Sequence, residues 1–169
     1  MPDIQLLQLL TESERQALFG WGEDLFGVSP YGLQWRSKDW HFVLYEDGAP
    51  RSNASVLRHE TVLGGRPTMV GGLGSVITVP EARGRGFARQ VIDRATEFLQ
   101  KELGVSFGLL FCLPRLVPFY ESQGWQVVEQ GVLIDQPGGK VPAPTRVMIL
   151  PFGDRSWPSE RVDLGSLPW

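Results

Sequence analysis

A chain of 169 residues, of which 42% are hydrophobic and 21% charged, is long enough to bury one core and has the composition of a globular domain. Its net charge of −3 at pH 7 argues against bulk attraction to nucleic acid or to an anionic membrane, and weakly favours a cationic partner. The single cysteine, Cys112, excludes an intramolecular disulfide; because the chain also lacks a signal-peptide pattern and any apolar run near 18 residues, we expect a cytoplasmic protein.

The first predicted elements are a strand, a helix and a loop. The apolar run IQLLQLL, residues 4–10, is typical of a strand. Thr11 and Glu14 then fit a capping box, in which the hydroxyl and the carboxylate satisfy free amides of the first helical turn. Residues 27–40, GVSPYGLQWRSKDW, contain a proline, two glycines and few periodic apolar positions, and therefore predict a loop.

The middle of the chain is predicted to be rich in β-structure. Strand-like runs fill residues 40–57 and 55–79. Turn signals interrupt them at residues 46–50, EDGAP, and at residues 64–67, GGRP. We therefore expect three adjacent antiparallel strands.

The second half alternates helices and strands. Apolar residues at helical spacing over residues 87–103 predict an amphipathic helix of about five turns. The apolar run at residues 105–113 predicts a strand buried on both faces, and residues 114–125 predict a short helix closed by a glycine. Residues 126–134 and 145–152 predict two further strands. The order β-α-β-β-β-α-β-α-β-β implies one α/β domain with a sheet of mixed direction, a core at about residues 4–152 and a polar tail at residues 153–169.

The junction that precedes the long helix predicts an anion site. Gly84 and Gly86 let the backbone approach a ligand, and the free amides and dipole at the helix N-terminus favour a negative charge. Arg83 and Arg85 add positive charge. A plain strand–helix junction with solvated arginines remains the alternative. A P-loop is excluded because no G-x-x-x-x-G-K-[ST] occurs, and the dinucleotide pattern lacks its third glycine.

Two motifs carry a resemblance to a known family. The run Arg83-Gly84-Arg85-Gly86-Phe87-Ala88, which follows ITVPEA, resembles the [QR]-x-x-G-x-[GA] acyl-CoA signature of the GNAT acetyltransferases. About 35 residues further on, PFYESQGW resembles the second GNAT block, with Tyr120 and Gly124-Trp125 at its tyrosine and glycine-aromatic positions. The resemblance covers roughly residues 4–152 and implies a mixed, largely antiparallel central sheet with splayed central strands and flanking helices.

The resemblance implies an acetyl-CoA-dependent N-acetyltransferase that transfers the acetyl group directly to a primary amine. Acetyl-CoA is then the acyl donor, and no metal is expected. Amides of residues 84–88 would hold the CoA pyrophosphate, and free backbone groups of Ile77 and Val79 would bind pantetheine. The family often has an asparagine where this chain has Leu113, so that contact to pantetheine is in doubt.

The chemistry also needs an acid and a base. Tyr120 is the candidate acid for the departing thiolate, with a core tyrosine as the alternative. Glu60 and His59, on the expected third strand, are the candidate bases. Alternation places them on opposite faces, so at most one of them faces a cleft; both could equally be surface residues. His41 is interpreted as a packing residue, and Cys112 as a buried structural thiol.

The tail is similar to that of the aminoglycoside 2'-N-acetyltransferase branch, whose chains finish in an Asp-containing segment and a terminal tryptophan. On this resemblance Asp163 and Trp169 would bind a small cationic amine. Two acidic positions of that branch are occupied here by Leu167 and Gly74. A GNAT enzyme acting on a protein or peptide amine, and a non-catalytic acyl-CoA-binding module, remain alternatives. The tail and the six tryptophans leave room for a homodimer.

Overall fold

Ten β-strands and three α-helices make up the fold, and the computed structural model describes all residues, 1–169. In chain order the elements are β1 (Asp3–Leu7), α1 (Glu12–Phe19), β2 (Trp40–Glu46), β3 (Ala49–Leu63), β4 (Arg66–Thr78), α2 (Phe87–Lys101), β5 (Phe107–Cys112), α3 (Val117–Glu121), β6 (Gln126–Val127), β7 (Val132–Gln136), β8 (Gly139–Pro142), β9 (Arg146–Pro151) and β10 (Val162–Asp163). No helix combines the length and the apolar character that a bilayer crossing demands.

The strands form a large and a small sheet. The large sheet has seven strands in the order β1-β2-β3-β4-β5-β9-β6, and only the β4–β5 pair is parallel. The small sheet has the order β10-β7-β8, in which β10 and β7 are parallel. The predicted mixed, largely antiparallel α/β sheet with flanking helices is therefore confirmed.

Local sequence signals produce the predicted hairpins and the first helix. Two-residue turns connect β2 to β3 at Asp47-Gly48 and β3 to β4 at Gly64-Gly65, and all four residues have positive φ, as a type I′ turn requires. Thr11 and Glu14 form the predicted capping box, with bonds of 2.8 and 3.1 Å.

Two predicted boundaries differ from the structure, one predicted strand is divided in two, and one strand was not predicted. The first strand ends at Leu7, and α2 ends at Lys101 after about four turns. The segment predicted as one strand at residues 126–134 contains β6 and β7, which are separated by Gly131 at a φ of +64°. Strand β8 carries only exposed residues, so it has no apolar pattern that could have predicted it.

The two faces of the large sheet are covered by different parts of the chain. A Cβ at Gly71 would lie 2.5 Å from the Leu99 side chain of α2, whereas a Cβ at Gly72 would collide with the indole of Trp169. Adjacent strand residues point to opposite faces, so α2 lies on one face and the tail on the other. The small sheet packs on the tail side, where Ile134 of β7 joins the same buried cluster as Trp169.

Candidate active site

The central strands β4 and β5 separate part-way along their length. They pair only from Val70 to Leu73 on β4 and from Phe107 to Leu110 on β5. Beyond this point β4 continues beside β3 alone, and β5 continues beside β9 alone. The predicted splay is therefore present, and it leaves one edge of each strand without a partner strand.

An irregularity in β4 coincides with the start of the splay. The register between β3 and β4 shifts between Asn53 and Ser55, where β4 has one extra residue. Ser75 lies in this bulge with a φ of +50°, which is uncommon for a residue with a side chain. The side-chain amide of Asn53 (Nδ2) donates a hydrogen bond of 2.8 Å to the Ser75 carbonyl oxygen and thereby holds the bulge against β3.

The glycine-bearing turn lies between the end of β4 and the start of α2. Gly84 and Gly86 have φ values of +75° and +77°, the left-handed region that glycine adopts at least cost. Gly86 is the N-cap of α2, and no side chain caps the amides of the first turn. These amides are available to an anion, as the sequence predicted.

One cavity of about 400 Å³ joins this turn to β4 and α3. Its lining residues from the predicted set are Ile77, Arg83, Gly84, Gly86, Phe87, Ala88 and Tyr120. Residues that the sequence interpretation missed also line it, namely Val76, Thr78, Ala82, Arg89, Leu116 and Phe119. Leu116 lies four positions before Tyr120, so helical spacing could have indicated that these two residues share a face.

Tyr120 places a protonated phenol against this cavity. The side chain is 7% exposed, and its ring packs edge-on against Phe119 and Trp125. Its hydroxyl makes no hydrogen bond to another protein group and is not enclosed by protein. Burial, and to a smaller extent the neighbouring Cys112, raises the pKa of Tyr120 above its ordinary value, so the phenol keeps its proton until a stronger base approaches.

Residues 8–128 of the chain match the family model described as "Acetyltransferase (GNAT) domain". The chain belongs to the GNAT acetyltransferase family. No curated protein matches the sequence significantly.

Solved GNAT structures share the fold at low sequence identity. An acyl-CoA N-acyltransferase from Pseudomonas aeruginosa is 20% identical with a TM-score of 0.61, over 89% of this chain and 99% of that chain. A GNAT acetyltransferase from Brucella melitensis, solved with acetyl-CoA, is 16% identical with a TM-score of 0.55, over 95% of each chain. The Escherichia coli GNAT protein YhbS, solved with CoA, is 14% identical with a TM-score of 0.58, over 90% of this chain and 82% of that chain.

The two arginines of the GNAT signature have different surroundings. Arg85 donates to both carboxylate oxygens of Glu46, with one bond of 2.7 Å, and lies over the Phe87 ring at 4.5 Å. It does not line the cavity, and its ion pair holds the pKa of Glu46 below its usual range. The structure therefore does not bring Arg85 to the cavity. The cations that line the cavity are Arg83 and Arg89.

The backbone groups of Ile77 and Val79, which the sequence predicts to bind pantetheine, face β3. The amide of Val79 donates to the Arg51 carbonyl oxygen at 2.9 Å and is not free. Backbone groups two residues apart in a strand point the same way, so those of Ile77 also face β3, where its carbonyl oxygen accepts from the Ser52 hydroxyl at 2.9 Å. The backbone groups of Val76 and Thr78 face the splay instead.

Neither candidate base reaches the splay. Glu60 is exposed and pairs opposite Met69, about 25 Å along β4 from Ile77, so the structure does not bring this predicted base to the splay. His59 accepts at Nδ1 from Arg36 at 3.0 Å and donates from Nε2 to the Leu164 carbonyl oxygen at 2.7 Å. Both of its ring nitrogens are thus engaged, one with Arg36 of the loop before β2 and the other with the tail.

The structure places the two predicted substrate-binding residues of the tail, Asp163 and Trp169, at different sites. Asp163 lies with Glu60 in a separate cavity of about 430 Å³, and its carboxylate accepts from Lys140 at 3.2 Å and from the Gly165 amide at 3.0 Å. The structure does not bring Asp163 to the cavity of Tyr120. Trp169 does reach the splay, because the carbon of its main-chain carboxylate would lie 3.3 Å from a Cβ at Gly74.

Cys112 behaves as a structural thiol. It is buried, and its sulfur contacts the Met148 sulfur at 3.8 Å. Burial raises the pKa of the Cys112 thiol to about 11, so the thiolate that a nucleophile requires is scarce at neutral pH.

Proposed function

We propose that this GNAT protein is an acetyl-CoA-dependent N-acetyltransferase that transfers an acetyl group directly to the primary amine of a small acceptor. One observation carries the proposal: a single cavity joins the glycine turn, the splayed end of β4 and the accessible hydroxyl of Tyr120. An anion site, a strand edge for an amide-bearing ligand and a proton donor are what a thioester of CoA needs.

Each part of the cavity has a role in this proposal. The amides that follow Gly84 and Gly86 bind the pyrophosphate, and Arg83 and Arg89 add positive charge beside them. The backbone groups of Val76, which face the splay, bind pantetheine, and the apolar side chains of the cavity shield it from water. Acetyl-CoA supplies the activated thioester, and Tyr120 donates a proton to the thiolate that departs.

A small acceptor is favoured over a peptide because the second face of the splay is covered. Trp169 packs on Phe111 with ring centroids 5.5 Å apart, and Trp35 of the loop packs on the same ring at 6.4 Å. The same loop also packs on Leu113, since a Cβ at Gly27 would lie 3.0 Å from the Leu113 side chain. A peptide acceptor would need an open groove at this face.

The charge of the acceptor is a separate question. The resemblance of the tail implies a cationic amine, which could be aminoglycoside-like, but the acidic groups Glu60, Glu160 and Asp163 line the other cavity. At the splay Lys38 and the main-chain carboxylate of Trp169 both lie beside Gly74, so groups of both charges are present. Aminoglycosides therefore remain members of a test panel, and the proposal is limited to a small primary amine.

The test is acetyl-CoA turnover, followed by release of free thiol, against a panel of amines. The panel contains small neutral, anionic and cationic amines, several aminoglycosides and a peptide with a free N-terminus. We expect thiol release with at least one small amine, and tight CoA binding by calorimetry. Tight binding without turnover on the whole panel would favour an acyl-CoA-binding module, and turnover of the peptide alone would favour the peptide alternative.

A further inference from the structure

The two arginines of the glycine turn have opposite kinds of partner. Arg85 is neutralised by the carboxylate of Glu46, whereas the guanidinium of Arg83 has no carboxylate within 4.0 Å. Arg83 is exposed and lines the cavity. A free arginine side chain populates many rotamers, and fixing them on a ligand costs binding free energy. The groups that surround Arg83 therefore decide how well its charge is placed for an anion.

Two uncharged groups hold the Arg83 guanidinium. Its Cζ lies over the indole of Trp21, 5.3 Å from the ring centroid, and its Nε donates a hydrogen bond of 3.3 Å to the Thr78 carbonyl oxygen at the end of β4. An aromatic face attracts a guanidinium through the quadrupole of the ring. Neither the ring nor the carbonyl oxygen carries a formal charge, so Arg83 is held in place without being neutralised.

Trp21 is itself fixed by the end of α1. Its indole Nε1 donates a hydrogen bond of 2.8 Å to the main-chain oxygen of Leu18, one of the last carbonyl groups of the helix, which lack intrahelical partners. Leu18 is fully buried and anchors α1 in the core. This bond uses the only polar group of the indole, and the side chain remains 38% exposed. The ring thus presents a fixed face to Arg83.

The contact between Trp21 and Arg83 joins two parts of the chain at the splay. Trp21 opens the loop between α1 and β2, and Arg83 lies in the turn that follows β4. The same loop packs on Leu113, after β5, through Gly27. Trp21 does not line the cavity, so its effect on a ligand there must run through Arg83.

We propose that Trp21 is a positioning residue that holds the Arg83 guanidinium in the orientation in which it binds the pyrophosphate of CoA; this inference rests on the proposed function. Because the indole is in place before CoA arrives, the arginine loses less conformational freedom on binding. A carboxylate such as the one that holds Arg85 would serve less well, since it competes with the phosphates for the same N–H donors.

The first test is a double-mutant cycle of Trp21→Leu and Arg83→Ala, with CoA affinity measured by calorimetry. Trp21→Leu is expected to weaken CoA binding about fivefold in the parent protein and less than about twofold in the Arg83→Ala background, because the indole acts through the guanidinium. An equal loss in both backgrounds, or no loss in either, would overturn the inference. Failure of the parent protein to bind CoA would overturn the proposed function instead.

Two further variants separate the aromatic face from the general integrity of the loop. Trp21→Phe keeps a ring but loses the Nε1 bond, and its CoA affinity is expected within about twofold of the parental value. Phe26→Leu is the matched control, because Phe26 lies in the same loop and is 37% exposed, but packs on Phe19. It should leave CoA affinity unchanged. A loss in Phe26→Leu as large as that in Trp21→Leu would overturn the inference, since any change in the loop would then suffice.

The last measurement identifies the anion that Arg83 meets. Dephospho-CoA keeps the pyrophosphate of CoA and lacks its 3′-phosphate. Trp21→Leu is therefore expected to weaken the binding of CoA and of dephospho-CoA by the same factor. A loss that is confined to CoA would overturn the pyrophosphate contact, because the arginine would then act on the 3′-phosphate.

Discussion

The indole N–H of Trp169 donates a hydrogen bond of 3.0 Å to the main-chain oxygen of Leu109, a residue in the paired part of β5. This bond connects the tail to the central sheet immediately before the splay opens. The indole also fills the space above Gly72, and the side chain is only 2% exposed. The tail is therefore part of the core and one wall of the proposed acceptor site at the same time.

Trp169→Ala is expected to lower the free energy of unfolding by about 3–5 kcal/mol, because it removes a large buried side chain and leaves the Leu109 oxygen without its partner. Trp169→Phe keeps most of the packing and should cost about 1–3 kcal/mol. Urea unfolding measures both values. Equal stability of the parent and Trp169→Ala would show that the tail does not dock in solution.

Gly86→Val is expected to abolish CoA binding in calorimetry. A β-branched residue disfavours the φ of +77°, so the turn and the first amides of α2 must move. Gly104→Val is the matched control, because Gly104 also has a positive φ, has open space around it and does not line the cavity. If both variants bound CoA with parental affinity, the glycine turn would have only a structural role.

Tyr120→Phe is expected to leave CoA affinity and unfolding free energy near the parental values, because its hydroxyl makes no hydrogen bond within the protein. Turnover should fall about 10²-fold through loss of the proton donor. Steady-state thiol release and calorimetry on the same preparations separate the two effects. An unchanged kcat would remove Tyr120 from the mechanism.

Arg83→Ala is expected to weaken CoA binding by about tenfold, the usual order for one charge-assisted hydrogen bond to an anion. Arg85→Ala should change it less than about threefold, because Glu46 already neutralises that guanidinium. The two residues are neighbours in the same turn, so each variant controls for the other. A larger loss of affinity in Arg85→Ala than in Arg83→Ala would contradict the assignment.

Glu60→Gln is expected to keep kcat within about twofold of the parent, since Glu60 is about 25 Å from the splayed end of β4. Thiol release with the best amine of the panel is the measurement. A loss of 10²-fold would restore Glu60 as a candidate base and would show that the acceptor binds at the other end of the β3–β4 hairpin.

Features that depend on neighbours in the chain could be predicted from the sequence. The Thr11–Glu14 capping box, the Gly64-Gly65 hairpin turn and the glycine turn before α2 each form within a few residues. Their φ values and hydrogen bonds follow from residue type. The order of the central elements and the GNAT signatures are also patterns of neighbouring residues, so they could be recognised from the sequence as well.

Features that depend on contacts between distant parts of the chain were decided only by the tertiary structure. Arg85 pairs with Glu46, which lies 39 residues earlier at the end of β2. The β4 bulge sets which backbone groups face the splay. The pattern within residues 75–88 could reveal neither feature. Lys38 comes from a loop without periodicity, yet it packs beside Gly74 and donates a hydrogen bond to the Ser75 hydroxyl. A pKa depends on burial and on charges nearby in space, and the sequence alone specifies neither.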